Sequence, residues 1–264
     1  MKLIRMAASI VALSASLFAS TGAMAQDAAP KSAEVKNIVL VHGAWLGGAG
    51  WKPVYDILTK DGFHVSIVQQ PLTSLEDDVA ATNRVLDLQK GPTILVAHSY
   101  GGSVITEAGV HPDVVGLVYV AAHAPAVGEN ESALGKGMPS YTSKQPGAIE
   151  KTDDGFTFVN PDDFYQDFAA DLPRKQAEFE AHSQMLTAAK VFSAPITVAA
   201  WTTKPSWGIV AGADKIINPD LERWYYARAH SHTTVIPGAS HSVYESRPKE
   251  VAAVIEDAAR HAHG

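Results

Sequence analysis

The 264-residue chain contains no cysteine and no cluster of basic residues, and beyond its N-terminal segment it has no long apolar run. Without cysteine there can be no disulfide bond, no thiol nucleophile and no cysteine-ligated metal. The formal net charge is −7 and the Lys and Arg residues are scattered. Nucleic acid is therefore excluded as a partner, because phosphate binding needs concentrated positive charge.

The one apolar stretch has the pattern of an export signal. Two basic residues precede an apolar run from Met6 to Ser20, and Ala23-Met24-Ala25 is the small-x-small pattern that a signal peptidase cleaves. A transmembrane anchor is the alternative, but about 15 apolar residues are too few to span a bilayer. We expect residues 1–25 to be a cleaved signal peptide and residues 26–264 to form one soluble periplasmic or secreted domain.

Short apolar runs rich in β-branched residues alternate with helical patterns along the chain. This alternation is typical of an α/β protein, in which βαβ units form a mainly parallel central sheet flanked by helices. The predicted strands are Ile38–Val41, Val65–Val68, Ile94–Ala97, Val115–Val120, Ile209–Ala211 and Thr233–Ile236. The predicted helices are Trp51–Lys60, Leu75–Leu88, Tyr100–Val110, Asp220–His230 and Lys249–His261.

The alternation stops after Val120 and resumes about 85 residues later. That segment is too long for a plain connection, so we expect an insertion at about residues 124–191 over the carboxyl edge of the sheet. Ala124–Asn160 is predicted to be loop-rich and Pro161–Val191 to be helical, which makes a small, mostly helical lid. Four aspartates of the lid are interpreted as a solvated face: Asp162, Asp163, Asp167 and Asp171.

A serine stands where a predicted strand passes directly into a helix, in the run Ala97-His98-Ser99-Tyr100-Gly101-Gly102. The residues two before and two after such a serine must be small so that strand and helix can approach, and Ala97 and Gly101 satisfy this requirement. The usual pattern is Gly-x-Ser-x-Gly, so Ala97 is a departure from it. The turn exposes the hydroxyl at a helix N-terminus, where free amides favour negative charge. Ser99 is the predicted nucleophile, with a purely structural turn as the alternative.

A glycine-rich segment from Gly43 to Gly50 follows the first predicted strand. Acyl transfer puts negative charge on a carbonyl oxygen, which two backbone amides can stabilise, and the predicted donors are the amides of Ala44 and Tyr100. A phosphate-binding loop would need a different spacing of glycines or a following Lys-Ser or Lys-Thr, which is absent. Trp45 is expected near the mouth of the site, and His42 is expected to brace the loop.

The general base must be one of eleven histidines. In proteins with this strand, turn and serine arrangement the chain order is nucleophile, acid, histidine, and His241 lies in the loop after the last predicted strand. His123 follows the strand Val115–Val120 at the same sheet edge and is expected to line the pocket. Other late histidines precede the last strand or lie at the C-terminus: His230, His232, His261 and His263. His230 and His232 could suggest a metal site, but no third ligand stands nearby.

The acid is expected in the loop after the next-to-last strand, where a carboxylate can hold the imidazole tautomer and stabilise the imidazolium. That loop contains Asp214, 27 positions before His241. Asp220 is the alternative acid. Because Asp220 follows Pro219 inside a first helical turn, it is better explained as a helix-dipole residue.

Together, Leu40–Trp45, Ala97–Gly102, Gly212–Asp214 and Gly238–His241 make the chain resemble the α/β-hydrolase superfamily. Within it the chain resembles the branch that holds plant methyl esterases, hydroxynitrile lyases and many bacterial hydrolases of undefined substrate. The resemblance covers essentially all of residues 26–264, with a looser match in the insertion. It implies the α/β-hydrolase fold.

The resemblance also implies a two-step mechanism that requires no cofactor and no metal. Ser99 would attack an ester carbonyl while His241 takes its proton, and the amides of Ala44 and Tyr100 would hold the oxyanion. Water would then release the acid from the acyl-enzyme. The expected function is that of an exported carboxylesterase that acts on small or medium apolar esters.

Two other classes of function stay open at this point. One is a lyase or a cofactor-free haloperoxidase with the same triad. A plant-type hydroxynitrile lyase would be expected to carry a threonine and a lysine in the segments where this sequence has Ala44 and Ser242. The other class is a ligand-binding protein that has kept the fold as a receptor, against which the intact Ser99, Asp214 and His241 argue.

The export signal makes a testable prediction. When the full chain is expressed in a bacterium with a periplasm, the periplasmic product should begin at Gln26, because the small residue Ala25 occupies the cleavage position. Intact mass and N-terminal sequencing measure this. The variant Ala25→Phe should accumulate uncleaved, since a bulky residue blocks the peptidase. A cytoplasmic product that retains residues 1–25 would contradict the prediction.

Overall fold

The computed structural model describes residues 35–262, and the predicted signal peptide lies outside this range. The strands are β1 Asn37–Val41, β2 His64–Ile67, β3 Thr93–Ser99, β4 Val114–Ala122, β5 Ile149–Lys151, β6 Phe156–Val159, β7 Thr187–Ala188, β8 Ser206–Ala211 and β9 His232–Ile236. The helices are α1 Lys52–Lys60, α2 Leu75–Leu86, α3 Gly101–Ala108, α4 Glu131–Gly137, α5 Phe164–Asp167, α6 Arg174–His182, α7 Pro219–Arg228, α8 Val243–Ser246 and α9 Pro248–His261. No helix in residues 35–262 is both long and apolar enough to cross a bilayer.

All six predicted strands are present, and they form one parallel sheet in the order β2-β1-β3-β4-β8-β9. The predicted α/β class with a mainly parallel sheet is therefore confirmed. The largest shift of a strand boundary concerns β8, which begins at Ser206 where the prediction began at Ile209, and β3 runs on to Ser99 where the prediction ended at Ala97. Because the strands are parallel, their carboxyl ends meet at one edge, and the loops that follow β1, β3, β4, β8 and β9 lie there.

Alternate side chains of the sheet enter two separate apolar cores. On β1, Ile38 and Leu40 join the core that α1, α8 and α9 cover, while Val39 and Val41 join the core that α2, α3 and α7 cover. Successive residues of a strand point to opposite faces. A strand that is buried on both faces must therefore be apolar throughout, which explains the continuous apolar runs of the sequence.

Side chains cap two of the helices at the positions that their residue types predict. Ser74 accepts a hydrogen bond from the Asp77 amide at 3.1 Å at the start of α2. Asn218 accepts one from the Asp220 amide at 3.0 Å, and Pro219 is the first residue of α7. These caps satisfy amides that have no partner inside the helix, so they determine where the two helices begin.

The insertion between β4 and β8 forms the lid. It holds the short helices α4, α5 and α6 and also a three-stranded antiparallel sheet in the order β5-β6-β7, which was not predicted. Trp45 supports this sheet: its indole Nε1 donates to Thr157 Oγ1 at 3.1 Å, and its backbone amide donates to Thr187 Oγ1 at 3.0 Å. Because these partners lie far apart in the chain, no local pattern could show the sheet.

Two of the four lid aspartates correct the interpretation of a solvated face. Asp167 is buried, and one of its carboxylate oxygens lies 3.6 Å from the amine of Lys215. Asp171 accepts a hydrogen bond from the hydroxyl of Ser240 and lies 3.6 Å from the guanidinium of Arg247. That interpretation is wrong for both residues, because their carboxylates attach the lid to loops of the core.

A pair of carboxyl groups, with Glu180 buried and Glu245 partly buried, also joins the lid helix α6 to helix α8. The side-chain amide of Gln176 donates to Glu180 Oε1 at 2.9 Å and to Glu245 Oε2 at 3.0 Å. Burial, followed by the negative charge of Glu180, raises the pKa of Glu245 to about 9. At neutral pH the Glu245 carboxyl therefore keeps its proton.

This proton makes the stability of the protein depend on pH. Between the ordinary value of 4.5 and the raised pKa of Glu245, the folded state binds a proton that the unfolded state has lost, so stability falls as pH rises. Glu245→Gln removes this titration and keeps both a donor and an acceptor. We expect the variant to gain about 1–3 kcal/mol of unfolding free energy at pH 8 and little at pH 5.

Chemical denaturation at the two pH values measures the effect. The exposed Glu250 on α9 offers a matched control, since Glu250→Gln makes the same chemical change outside the core. An equal gain for Glu245→Gln at pH 5 and pH 8 would show that its carboxyl does not hold the proton.

Candidate active site

Ser99 occupies a strained turn at the end of β3. Its φ angle is 55°, which is uncommon for a residue with a side chain. The turn is possible because α3 begins with glycines: a Cβ atom on Gly102 would lie 2.0 Å from the carbonyl oxygen of His123. The strain holds the serine hydroxyl at the carboxyl edge of the sheet.

The structure brings Ser99, His241 and Asp214 into one hydrogen-bonded line. His241 Nε2 lies 2.9 Å from Ser99 Oγ, and His241 Nδ1 lies 2.6 Å from Asp214 Oδ2. Because Asp214 accepts the Nδ1 proton, the unprotonated Nε2 faces the serine hydroxyl. In this arrangement His241 can accept a proton from Ser99.

Asp214 and not Asp220 reaches the histidine. The second carboxylate oxygen of Asp214 accepts hydrogen bonds from the amides of Ile216 at 2.7 Å and Ile217 at 2.9 Å, which fix its orientation. Asp220 lies in the first turn of α7 and forms an exposed ion pair with Arg223 at 2.9 Å. Its position agrees with a residue that stabilises the helix start.

Two further side chains hold His241 in place. Burial lowers the pKa of His98 well below its ordinary value, so its ring is neutral, and its Nε2 lies 2.9 Å from the backbone oxygen of His241. The ring of Phe168 from the lid meets the His241 ring edge-on, with centroids 4.7 Å apart. The serine motif contains His98, but its contact with His241 joins residues 143 positions apart and was not predicted.

Glu222 is a second residue that the sequence did not reveal. Its carboxyl is fully buried behind the site and accepts a hydrogen bond from the Ala211 amide at 3.0 Å. Burial, followed by the negative charge of the neighbouring Asp214, raises the pKa of Glu222 well above its ordinary value. A protonated Glu222 avoids a second negative charge beside Asp214. Nothing in its position on α7 distinguishes it in the sequence.

Of the two residues predicted to donate to the oxyanion, Ala44 lines the cavity together with Ser99, whereas Tyr100 is not among the described residues that line it. Within residues 35–262 neither the Ala44 amide nor the Tyr100 amide donates a hydrogen bond to another group of the protein. His42 braces the loop as predicted, since its Nε2 accepts from the Gln70 amide at 3.0 Å. The Tyr100 side chain is buried against α2, where its hydroxyl donates to Asp78 at 2.7 Å. The Tyr100 hydroxyl is therefore occupied, so the predicted role of this residue depends on its backbone amide alone.

A cavity of about 540 Å³ lies over Ser99, between the sheet edge and the lid. Ala44, Trp45 and His123 line it together with Ser99, as expected from the sequence. Most of the wall is apolar and comes from the lid and from the loop after β8. A cavity of this size and character is typical of a site for a small organic molecule.

Comparison with known proteins agrees with this geometry. A sequence profile of the alpha/beta hydrolase family matches residues 38–254, and the chain belongs to that family. Over 125 residues it is 34% identical to a carbendazim hydrolyzing esterase of Nocardioides sp. (strain SG-4G). That match covers 41% of this chain and 51% of the esterase, so the chain spans about half the length of this relative.

Solved structures show the same fold at lower identity. A pyrethroid hydrolase from Sphingobium faniae JZ-2 is 24% identical, with a TM-score of 0.71 over 86% of this chain and 98% of that one. Polyneuridine aldehyde esterase is 16% identical, with a TM-score of 0.72 over 85% and 99% of the two chains. A methylesterase from Arabidopsis is 18% identical, with a TM-score of 0.72 over 86% and 99%.

The two aspartates allow a matched test of the site. We expect Asp214→Asn to slow the labelling of Ser99 by a fluorophosphonate about 10³- to 10⁴-fold, because an amide stabilises the wrong tautomer of His241. Asp220→Asn makes the same change on the exposed helix start and should label at the wild-type rate. The second-order rate of labelling, followed by intact mass, gives both values. Equal labelling rates for the two variants would show that Asp214 does not orient His241.

Proposed function

We propose that the protein is an exported serine hydrolase, a carboxylesterase that cleaves small or medium apolar esters. The observation that carries this proposal is the hydrogen-bonded line from Ser99 through His241 to Asp214, placed at the floor of an apolar cavity. A nucleophile, a base and an orienting carboxylate in this order are the arrangement that acyl transfer needs.

The proposed reaction has two steps. Ser99 Oγ attacks the ester carbonyl carbon while His241 Nε2 takes the hydroxyl proton, and the amides of Ala44 and Tyr100 hold the resulting oxyanion. The carbon–oxygen bond to the alcohol breaks, and His241 donates its proton to the leaving alcohol. Water then loses a proton to His241 and attacks the acyl carbon. The bond from that carbon to Ser99 Oγ breaks, His241 returns its proton to Oγ, and the acid leaves.

The protein contributes to this reaction by holding its groups ready. Asp214 stabilises the imidazolium that forms at each step, and the bond from His98 to the His241 backbone keeps the ring in register with Ser99. The two proposed donors are backbone amides that donate to no other protein group within residues 35–262. Such prepositioned donors each contribute about 3–4 kcal/mol to the barrier reduction in related chemistry.

The relatives support ester hydrolysis by their names: an esterase that hydrolyses carbendazim, a pyrethroid hydrolase and a methylesterase. Export is proposed from the sequence of residues 1–25 alone. Neither a metal nor an organic cofactor has a part in the proposed mechanism, since Ser99, His241 and the backbone amides carry out every proton transfer and charge stabilisation.

A panel of p-nitrophenyl esters of increasing acyl length tests the proposal. We expect hydrolysis of short and medium chains, and a decline in kcat/KM for chains too long for a cavity of this size. Ser99→Ala should reduce kcat/KM by at least about 10³-fold, because it removes the nucleophile. If the wild-type protein hydrolyses none of these esters faster than Ser99→Ala, the proposal is wrong.

A further inference from the structure

One acidic side chain lines the cavity over Ser99. Glu131 is the first residue of the lid helix α4, is 6% exposed, and shares the cavity with Ser99 and His123. The mechanism proposed above makes no use of it. A carboxyl group buried beside a substrate site therefore calls for a physical explanation.

Within the described part of the chain, the polar contacts of Glu131 are with the uncharged groups of Ser103 and His123. Ser103 Oγ donates to its Oε1 at 2.5 Å, and His123 Nε2 lies 3.4 Å from its Oε2. On the far side of the imidazole, the hydroxyl of Tyr225 lies 3.2 Å from His123 Nδ1. Burial lowers the pKa of His123 to about 3, so the imidazole brings no positive charge to Glu131.

This environment destabilises the charged form of Glu131. Burial raises the pKa of Glu131 to about 8, with only the hydrogen bond from Ser103 acting against it. A buried carboxyl group without a cationic partner lowers the stability of the fold when it ionises. Each carboxyl oxygen can accept two hydrogen bonds, yet each has at most one donor among residues 35–262. The unused acceptor capacity lies in the wall of the cavity.

We propose that Glu131, oriented by Ser103 and His123, forms a polar subsite that accepts a hydrogen bond from an N–H or O–H group of the ester substrate. This inference rests on the proposed function and narrows its substrate class to esters that carry such a donor away from the ester bond. A bound donor supplies the partner that the carboxyl group lacks. Apolar contacts with the rest of the cavity supply the remaining affinity.

A pair of substrates that differ only in the donor tests this subsite. Methyl hydroxyphenylacetate carries an O–H group, and methyl methoxyphenylacetate replaces it with an ether, and each is used as the 3- and the 4-isomer. For the isomer that is hydrolysed better, we compare kcat/KM of the hydroxy ester with kcat/KM of its methoxy partner. We expect this ratio to be about tenfold lower in Glu131→Leu than in wild type, because the variant loses one hydrogen bond to a carboxyl group.

Two controls separate this role from a structural one. If Glu131 only tethers α4 to the core, Glu131→Leu lowers kcat/KM for both substrates by the same factor, and the unchanged ratio overturns the proposal. Glu150→Leu changes an exposed glutamate of the lid strand β5 and should keep the wild-type ratio. Glu131→Gln preserves the shape of the side chain. It replaces Glu131→Leu in the test if Glu131→Leu does not fold.

The pH dependence of the ratio gives a second readout. In wild type the preference for the hydroxy substrate should rise between pH 6 and pH 9, as Glu131 ionises and becomes a stronger acceptor. The nearby Tyr100 and Tyr225 stay protonated, because burial raises the pKa of each well above its ordinary value. A pH effect on the chemical step that both esters share acts on both values of kcat/KM and cancels in the ratio. In Glu131→Gln the ratio should not change with pH, and a rise like that of wild type contradicts the proposal.

If no ester is hydrolysed, the affinity of the protein for the two esters still tests the inference. Calorimetry with the same two esters then compares Ser99→Ala with the double variant Ser99→Ala/Glu131→Leu. If Ser99→Ala binds the hydroxy ester more tightly than the methoxy ester, and the double variant does not, the result supports the subsite even though the proposed function has failed. Equal affinity for both esters in Ser99→Ala overturns the subsite alone.

Discussion

The backbone turn at Ser99 is the constraint on which the rest of the site depends. Because φ is positive there, two consecutive side chains leave β3 in directions that a regular strand would not allow. The Ser99 hydroxyl meets the ring of His241, while the His98 ring meets the backbone carbonyl of the same residue. One turn thus positions the candidate nucleophile and also the loop that carries the candidate base. The strain is sustained by the packing of β3 and α3, whose residues are almost all buried.

Buried carboxyl groups recur around this turn, and they show a conflict between stability and function. Glu131, Glu222 and Glu245 all have pKa values raised mainly by burial, so each makes the folded state less stable as pH rises. Glu222 lies behind Asp214 and Glu245 lies under the lid, whereas Glu131 faces the cavity. Apolar residues would suit a stable core better at these positions. Their placement around the site indicates that positioning and recognition have outweighed stability there.

The parts of the fold that were predicted correctly are those that a local pattern records. The parallel strands could be predicted because burial on both faces makes them continuously apolar. The starts of α2 and α7 agree with the predicted ones within one residue, and the caps Ser74 and Asn218 act on amides only two or three residues away. The sheet β5-β6-β7 was missed because its strands are short and its support comes from Trp45, more than a hundred residues away. The interpretation of Asp171 was wrong for the same reason, since its partners Ser240 and Arg247 lie more than 60 residues further along the chain.

The sequence by itself determined the fold class and the chain order of Ser99, Asp214 and His241. It also determined the loop that contains Ala44, the predicted backbone donor. Each of these depends on residue types at fixed places relative to a strand end. Only the tertiary structure decided which side chains meet across the lid and the core. Glu131 shows the difference: in the sequence it is one acidic residue at a helix start, and its environment consists of groups from α3, α7 and the end of β4. Burial and the lack of a cationic partner are properties of that assembled environment, and they give the side chain its chemistry.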